Sequence, residues 1–229
     1  DQKPVLEYKS GYMGISAVPG AGKTTILLAL IIKLLERGIN PERIFVLTYM
    51  DSAARNFRER IKNVQKSSSR LPNISTIHGL ALRILKENGN YEKLGLSADF
   101  EICDDSQRGR ILREIASKMH IESKTAEEFD RAVSIFKIAQ GQFKEQPTDV
   151  KLKKFKTFFS LYQDNLKEYN LIDYDDMLTG SVRILKENPD ILAHYQDICE
   201  YIIEDEAQDS SLIQQKLIAL LSGKHKNII

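Results

Sequence analysis

Two clusters of residues carry the clearest chemistry. The first, Ala17-Val18-Pro19-Gly20-Ala21-Gly22-Lys23-Thr24 with Thr25 behind it, has the form of a phosphate-binding P-loop with alanine at the first glycine position. Gly20 and Gly22 let the backbone approach an anion and turn successive N–H groups towards it. The helix that follows adds the partial positive charge of its N-terminus, and Lys23 reaches β- and γ-phosphates. Thr24 offers a hydroxyl to Mg²⁺. The second cluster, Tyr201-Ile202-Ile203-Glu204-Asp205-Glu206, is an apolar run that ends in acids. Asp205 is the expected magnesium partner, and Glu206 is placed to orient and deprotonate an attacking water. A tight turn with an incidental lysine, and an acidic cap on a solvated loop, are the plain alternatives. Their occurrence together in one chain favours ATP and Mg²⁺ as cofactors.

Such groups need a scaffold, and the surrounding pattern supplies one. Tyr12–Ala17 reads as a strand running into the glycine-rich loop, and 26–35 as a densely apolar, buried helix. Ile44–Thr48 and Asn73–Thr76 read as strands, and Ser52–Val64 and His78–Lys86 as helices. Strands alternating with helices imply a parallel sheet. From about Asn90 the texture changes to long amphipathic segments at 106–119, 126–140 and 150–169, which predict helices. Asp175–Lys186 continues as helix, and Asn188-Pro189 supplies an N-cap and a first-turn proline for the next. Strand logic resumes at Cys199–Glu204, followed by a helix over Ser210–Leu221 and an apolar run at Asn227–Ile229. The reading is therefore α/β: a parallel sheet domain, 1–88 with 172–229, split around a mostly helical insertion, 89–171. Lys66-Ser67-Ser68-Ser69-Arg70 reads as a loop.

Composition narrows the function classes. With 42% hydrophobic and 28% charged residues, the 229-residue chain can bury a core, and no apolar stretch approaches the roughly 18 residues a membrane span needs. A cytoplasmic protein without membrane partners is expected. Cys103 and Cys199 lie far apart and the four histidines show no ligand spacing, so disulfide and zinc readings lack support. The net charge of +1 hides an asymmetry, because residues 1–90 hold 14 Lys and Arg against 7 Asp and Glu. Arg55, Arg58, Arg60, Lys62, Lys66, Arg70, Arg83 and Lys86 are candidates to meet a polyanion, or simply a solvated basic face.

Asp205-Glu206-Ala207-Gln208-Asp209 resembles the DExQD form of helicase motif II, and together with Ala17–Thr24 it is similar to the UvrD/Rep group of superfamily-one helicases. Four further stretches agree in order and spacing. Gln2 stands where the family places the glutamine that reads adenine. Thr48-Tyr49, followed by Ala53-Ala54, resembles the motif whose aromatic contacts single-stranded DNA. Thr76-Ile77-His78-Gly79-Leu80-Ala81 resembles the next DNA-contacting motif, and Leu171 to Leu178 resembles the return from the helical insertion. The resemblance implies a RecA-like P-loop NTPase fold and DNA contacts at Thr48, Tyr49, Thr76 and His78. It also implies a Gln208 that senses the γ-phosphate and couples it to DNA. Met50-Asp51-Ser52 departs from the usual Thr-Asn-Lys: an acid, Asp51, stands at the Asn position and Ser52 at the Lys position, so the basic side chain is missing.

What the resemblance implies for function is ATP hydrolysis coupled to 3′→5′ translocation on single-stranded DNA or DNA junctions. Only the first motor domain is expected here, with motif III and the second motor domain beyond Ile229. Two other readings stay open: the helicase part of a helicase-nuclease subunit, and a P-loop ATPase that does not act on DNA. A non-catalytic DNA-binding module is disfavoured by the complete set Lys23, Thr24, Asp205 and Glu206.

Overall fold

The computed structural model describes residues 3–18, 20–64, 70–139 and 149–229. In chain order the elements are α1 (Lys3–Leu6), α2 (Lys23–Glu36), β1 (Ile44–Thr48), α3 (Asp51–Val64), β2 (Asn73–Thr76) and α4 (Ile77–Lys86). They continue with β3 (Glu101–Ile102), α5 (Asp105–Lys118), α6 (Ser123–Ile138), α7 (Asp149–Glu168), β4 (Leu171–Ile172) and α8 (Tyr174–Glu187). The last are α9 (Pro189–Ile198), β5 (Tyr201–Glu204) and α10 (Leu212–Leu221). The chain packs as two compact units, Asp1–Leu80 with Leu185–Ile229, and Ala81–Ile184. The boundaries read from sequence texture, 88/89 and 171/172, fall inside the second unit. Helices α4 and α8 each run through a junction, so no break in composition marks it.

The first unit is built on a parallel sheet in the order β2-β1-β5. All five residues of β1, Ile-Phe-Val-Leu-Thr, are buried, as expected of a central strand covered on both faces. Thr48 pairs with Thr76 of β2, and Leu47 with Glu204 of β5, so these strands end at one edge. Beyond β5 the sheet continues through isolated parallel bridges from Ile202 to Ile228 and from Ile228 to Tyr12. The strand expected over Tyr12–Ala17 is thus reduced to one bridge. The segment is extended, with Met13 and Ile15 packed on the core while its alternate residues stay exposed, but its described ladder consists of the bridge to Ile228.

Helix α2 covers this sheet with Ile26, Leu27, Leu28, Leu30, Ile31 and Leu34. Those positions form one wide stripe at helical spacing, which packs with Val46, Ile203 and, from α3, Phe57 and Ile61. Asn188 occupies the N-cap position of α9 and Pro189 its first turn, as the sequence implied. Helix α10 is pinned at its start by the Ser211 amide, which donates to Gln214 Oε1 at 2.7 Å.

The second unit is mostly helical, as expected, but its short parallel pair β3-β4 was not legible in the sequence. Two residues a strand are too few to produce a periodic signal. Its core is α5, α6 and α7, with Ile111, Ile115, Phe129, Val133, Phe155, Phe158 and Tyr162. On α6 the buried face advances from Phe129 to Val133 to Lys137, so the third step buries an amine. Lys137 Nζ meets Asp173 Oδ2 at 2.5 Å and Asp176 Oδ2 at 2.7 Å, and the Tyr162 hydroxyl donates to Asp173 Oδ2 at 2.7 Å. Asp173 also accepts from the Asp176 amide at 2.8 Å, capping α8. The expected helical segments 106–119, 126–140 and 150–169 correspond to α5, α6 and α7, with Gln140 outside the described residues. Lys66 to Ser69 of the expected loop also lie outside them.

Candidate functional site

Parallel strands that end at one edge deliver their following residues to one side of the sheet, the side where such sheets bind ligands. Here that edge carries Thr48 at the end of β1 with Tyr49 after it, Thr76 at the end of β2, and Asp205-Glu206 after β5. The P-loop arrives from the extended segment that bridges Ile228.

The loop has the backbone its glycines predict. Gly20 and Gly22 both lie at positive φ, 80° and 84°. A Cβ on Gly20 would meet nothing within 4 Å, so the requirement there is conformational freedom and an open approach to the backbone. The Ala21 amide closes a turn on the Val18 carbonyl at 3.1 Å. Gly22 is the N-cap of α2 and offers no side-chain hydrogen bond. The first-turn N–H groups therefore keep their capacity for an anion. Ala17, Gly22, Lys23 and Thr24 are half-buried, and Val18, Gly20, Ala21 and Thr25 are exposed. Pro19 and Gln2 lie outside the described residues.

Opposite the loop, β5 runs directly into the acids. The Asp205 amide extends the ladder by donating to the Leu47 carbonyl at 2.9 Å, and the residue is buried, 8% exposed. Burial raises its carboxyl pKa, Glu206 adds to the rise, and Lys23 opposes it. Glu206 itself sits in the left-handed region at φ 60° and points its carboxylate to Lys23, with Nζ to Oε2 at 3.2 Å. The Gln208 side-chain Nε2 donates to the same Oε2. Hydrogen bonds from Gln208 and Lys23 hold the Glu206 pKa below the usual carboxylate range. Phosphate cradle, cation, buried acid and ionised acid therefore converge. The Lys23–Glu206 contact itself was not foreseen from the sequence, which assigned the two residues separate tasks.

The other candidates sort by exposure. Thr48 is 1% exposed and its hydroxyl donates to the Met50 carbonyl at 3.0 Å, so it shapes the turn that follows β1. Tyr49 and Met50, carried by that turn, are each 60% exposed, which is not how a core tyrosine sits. Thr76 Oγ1 accepts from the Gly79 amide at 3.0 Å and so caps the start of α4, where His78 is half-buried. Of the basic residues, Arg58 donates to the Ile74 carbonyl and ties α3 to β2. Arg60 reaches the Thr25 hydroxyl at 3.4 Å, and Arg70 pairs with Glu42 at 3.5 Å. These three have partners within the protein, which a count of charges does not show. Cys103 and Cys199 are free and buried. Among the described residues no group of three or more His, Cys, Asp and Glu side chains could hold a metal alone. No described helix is long and apolar enough to cross a membrane.

The curated proteins similar to this chain include the ATP-dependent DNA helicase PcrA of Staphylococcus aureus. The two are 28% identical over 234 residues, covering 100% of this chain and 32% of that protein. The ATP-dependent DNA helicase Rep of Buchnera aphidicola is 32% identical over 231 residues, covering 99% of the chain and 34% of Rep. A probable DNA helicase II homolog of Mycoplasma capricolum is 30% identical over 221 residues, covering 91% and 30% respectively. The chain thus spans about a third of the length of the curated relatives it matches. The family model of the UvrD/REP helicase N-terminal domain matches residues 1–229, and with the P-loop and the Asp205–Asp209 motif meeting at one sheet edge, the chain belongs to that family.

Proposed function

We propose that this chain is the ATP-binding motor lobe, with its helical insertion, of an ATP-dependent DNA helicase that moves 3′→5′ on single-stranded DNA. The observation that carries this reading is the 3.2 Å contact between Lys23 and Glu206, which joins the phosphate loop to the acidic motif across 183 positions of sequence. The open glycine backbone, the uncapped start of α2 and the adjoining lysine fit a nucleotide polyphosphate. Thr24 and Asp205 would hold Mg²⁺ together with it. ATP supplies the phosphoanhydride whose cleavage drives movement.

The chain's own groups divide the work. Lys23, attracted to phosphate oxygens, gives up Glu206. Glu206, already ionised, then has an oxygen available to take a proton from water. Gln208, on the same oxygen, is the link between the base and the exposed turn beyond it, in keeping with the sensor role that the resemblance implies. Gln2 is assigned to adenine on resemblance alone. Tyr49, Thr76 and His78, at the same sheet edge, are assigned to single-stranded DNA, with Thr48 as the residue that sets the Tyr49 turn. The first compact unit is read as the ATP-binding domain, the second as the insertion, and the remaining length seen in the relatives as the second lobe. A cytoplasmic, nucleoid-associated setting follows from a DNA substrate.

The test is the DNA-stimulated ATPase of the full-length protein. Stimulation by single-stranded DNA, lost in Lys23→Ala together with nucleotide binding, is expected. Hydrolysis indifferent to DNA would instead favour a P-loop ATPase with another task.

A further inference from the structure

Glu204 is an acid with no assigned role, immediately ahead of the two acids that have one. It is the last residue of β5, paired with Leu47 and following three buried residues, a position where valine or isoleucine would pack at no electrostatic cost. Its own amide is committed to the Ile229 carbonyl at 2.8 Å. Its side chain is half-buried. Among the described residues its side-chain partner is the Ser210 hydroxyl, which donates to Oε1. An acid retained in such a place, with a hydroxyl rather than a cation opposite, needs a reason.

The reason lies in what Ser210 closes. Between Glu204 and Ser210 run Asp205, then Glu206 at φ 60°, then a single 3-10 turn, Ala207–Asp209, whose three residues are exposed. The backbone bonds within the turn run from the Asp209 amide to the Glu206 carbonyl at 2.9 Å and from the Ser210 amide to the Ala207 carbonyl at 3.3 Å. A non-glycine residue in the left-handed region persists only when its surroundings over-determine it. Solvent around Ala207–Asp209 provides no such constraint. The Ser210 position does, because it is held from two sides: by Glu204 ahead of the turn, and by the Gln215 side-chain Nε2, which donates to the Ser210 carbonyl at 3.1 Å from α10.

We propose that Glu204 is a positioning residue for ATP hydrolysis: with Ser210 it forms a clasp across the base of the Asp205–Asp209 turn that fixes Glu206 and Gln208 relative to Lys23. Neither Glu204 nor Ser210 touches the reacting atoms. The inference rests on the nucleotide-site reading above.

The test uses the full-length protein, with steady-state ATPase kinetics, equilibrium ATP binding and thermal unfolding on each variant. Glu204→Val and Ser210→Ala should each lower kcat by about tenfold to a hundredfold, the scale of a misplaced catalytic group. ATP affinity and the unfolding temperature should stay close to those of the parent. Glu204→Gln and Ser210→Thr, which keep an acceptor and a hydroxyl, should restore most of kcat. The double variant should be no slower than either single one, because both remove the same contact. If Glu204→Val fails to fold, the Ser210 pair carries the test alone. A parental kcat in Ser210→Ala would overturn the clasp, as would loss of affinity and kcat together without rescue by Ser210→Thr. A parent that does not hydrolyse ATP at all would overturn the functional reading itself.

Discussion

At the residue scale the site is organised by how differently its two acids are held. Asp205 is buried, and burial and Glu206 raise its carboxyl pKa while Lys23 opposes the rise. Glu206 is stabilised as the anion by Gln208 and Lys23, which leaves the carboxylate a weaker base for as long as those two contacts last. Glu206→Gln should therefore retain ATP binding and lose about 10²–10⁴-fold in hydrolysis. Single-turnover hydrolysis beside equilibrium binding checks this, and unchanged turnover would assign the base elsewhere. Lys23→Ala should fail at the earlier step and bind ATP poorly, because the backbone cradle keeps its donors but loses its cation. Tyr49, 60% exposed, should act on DNA alone. Tyr49→Ala should weaken single-strand binding by about 1–3 kcal/mol and leave its salt dependence nearly intact, since stacking releases no counterions. Anisotropy at two salt concentrations distinguishes that outcome from loss of a phosphate contact.

At the scale of elements, the helical unit is tied by charges as well as by its aromatic core. Lys137 from α6, Tyr162 from α7 and Asp173 at the start of α8 meet in one buried network. Burial pushes the Asp173 carboxyl up, but Lys137, the Asp176 amide and the Tyr162 hydroxyl outweigh it and leave the pKa below the ordinary value. An acid whose folded-state pKa is depressed contributes stability that is complete above its unfolded value and fades as pH falls through the folded one. The Asp173 contribution to the urea stability of the second unit should thus be complete above about pH 4 and fade only below it, a limb that Asp173→Asn should flatten. Asp176, whose carboxyl burial pushes up to about 6, acts with the opposite sign as pH falls through that value. Lys137→Met should cost about 3–5 kcal/mol, because it leaves two carboxylates facing each other without a cation. A cost below about 1 kcal/mol would mean that the network has little energetic weight.

At the scale of the molecule, the relatives are about three times as long as this chain, and the proposed activity needs more than one lobe. A polypeptide limited to residues 1–229 should bind ATP through its P-loop yet hydrolyse it far below the full-length rate. If a second lobe supplies an arginine to the γ-phosphate, the deficit should be on the order of 10³–10⁵. Stopped-flow phosphate release from the two polypeptides, with single-stranded DNA present, measures it. Equal rates would mean that this lobe is catalytically complete.

The sequence by itself determined the local form of the two motifs and most of the scaffold. Glycines at 20 and 22 before Lys23-Thr24, and acids directly after an apolar run, are local statements that leave few conformations open. The observed left-handed Gly20 and Gly22 and the buried Asp205 match them. Strands β1 and β2 were legible to the residue, β1 as the apolar run Ile44 to Thr48 shortly after Pro41 and β2 as the short run Asn73 to Thr76 directly after Pro72 and ahead of an amphipathic helical segment. Other features were decided only by tertiary structure, because they depend on which distant groups become neighbours. Lys137 reads as one more surface lysine until α6 turns it inward onto Asp173 and Asp176. Tyr12–Ala17 has a strand's composition, but strand is a property of a pair, and its described pairing is a single bridge to Ile228. Arg58 and Arg60 read as a solvent or DNA face until packing gives them the Ile74 carbonyl and the Thr25 hydroxyl. The meeting of Lys23 with Glu206 belongs with these, since only the parallel sheet brings a loop near one end of the chain against a turn near the other.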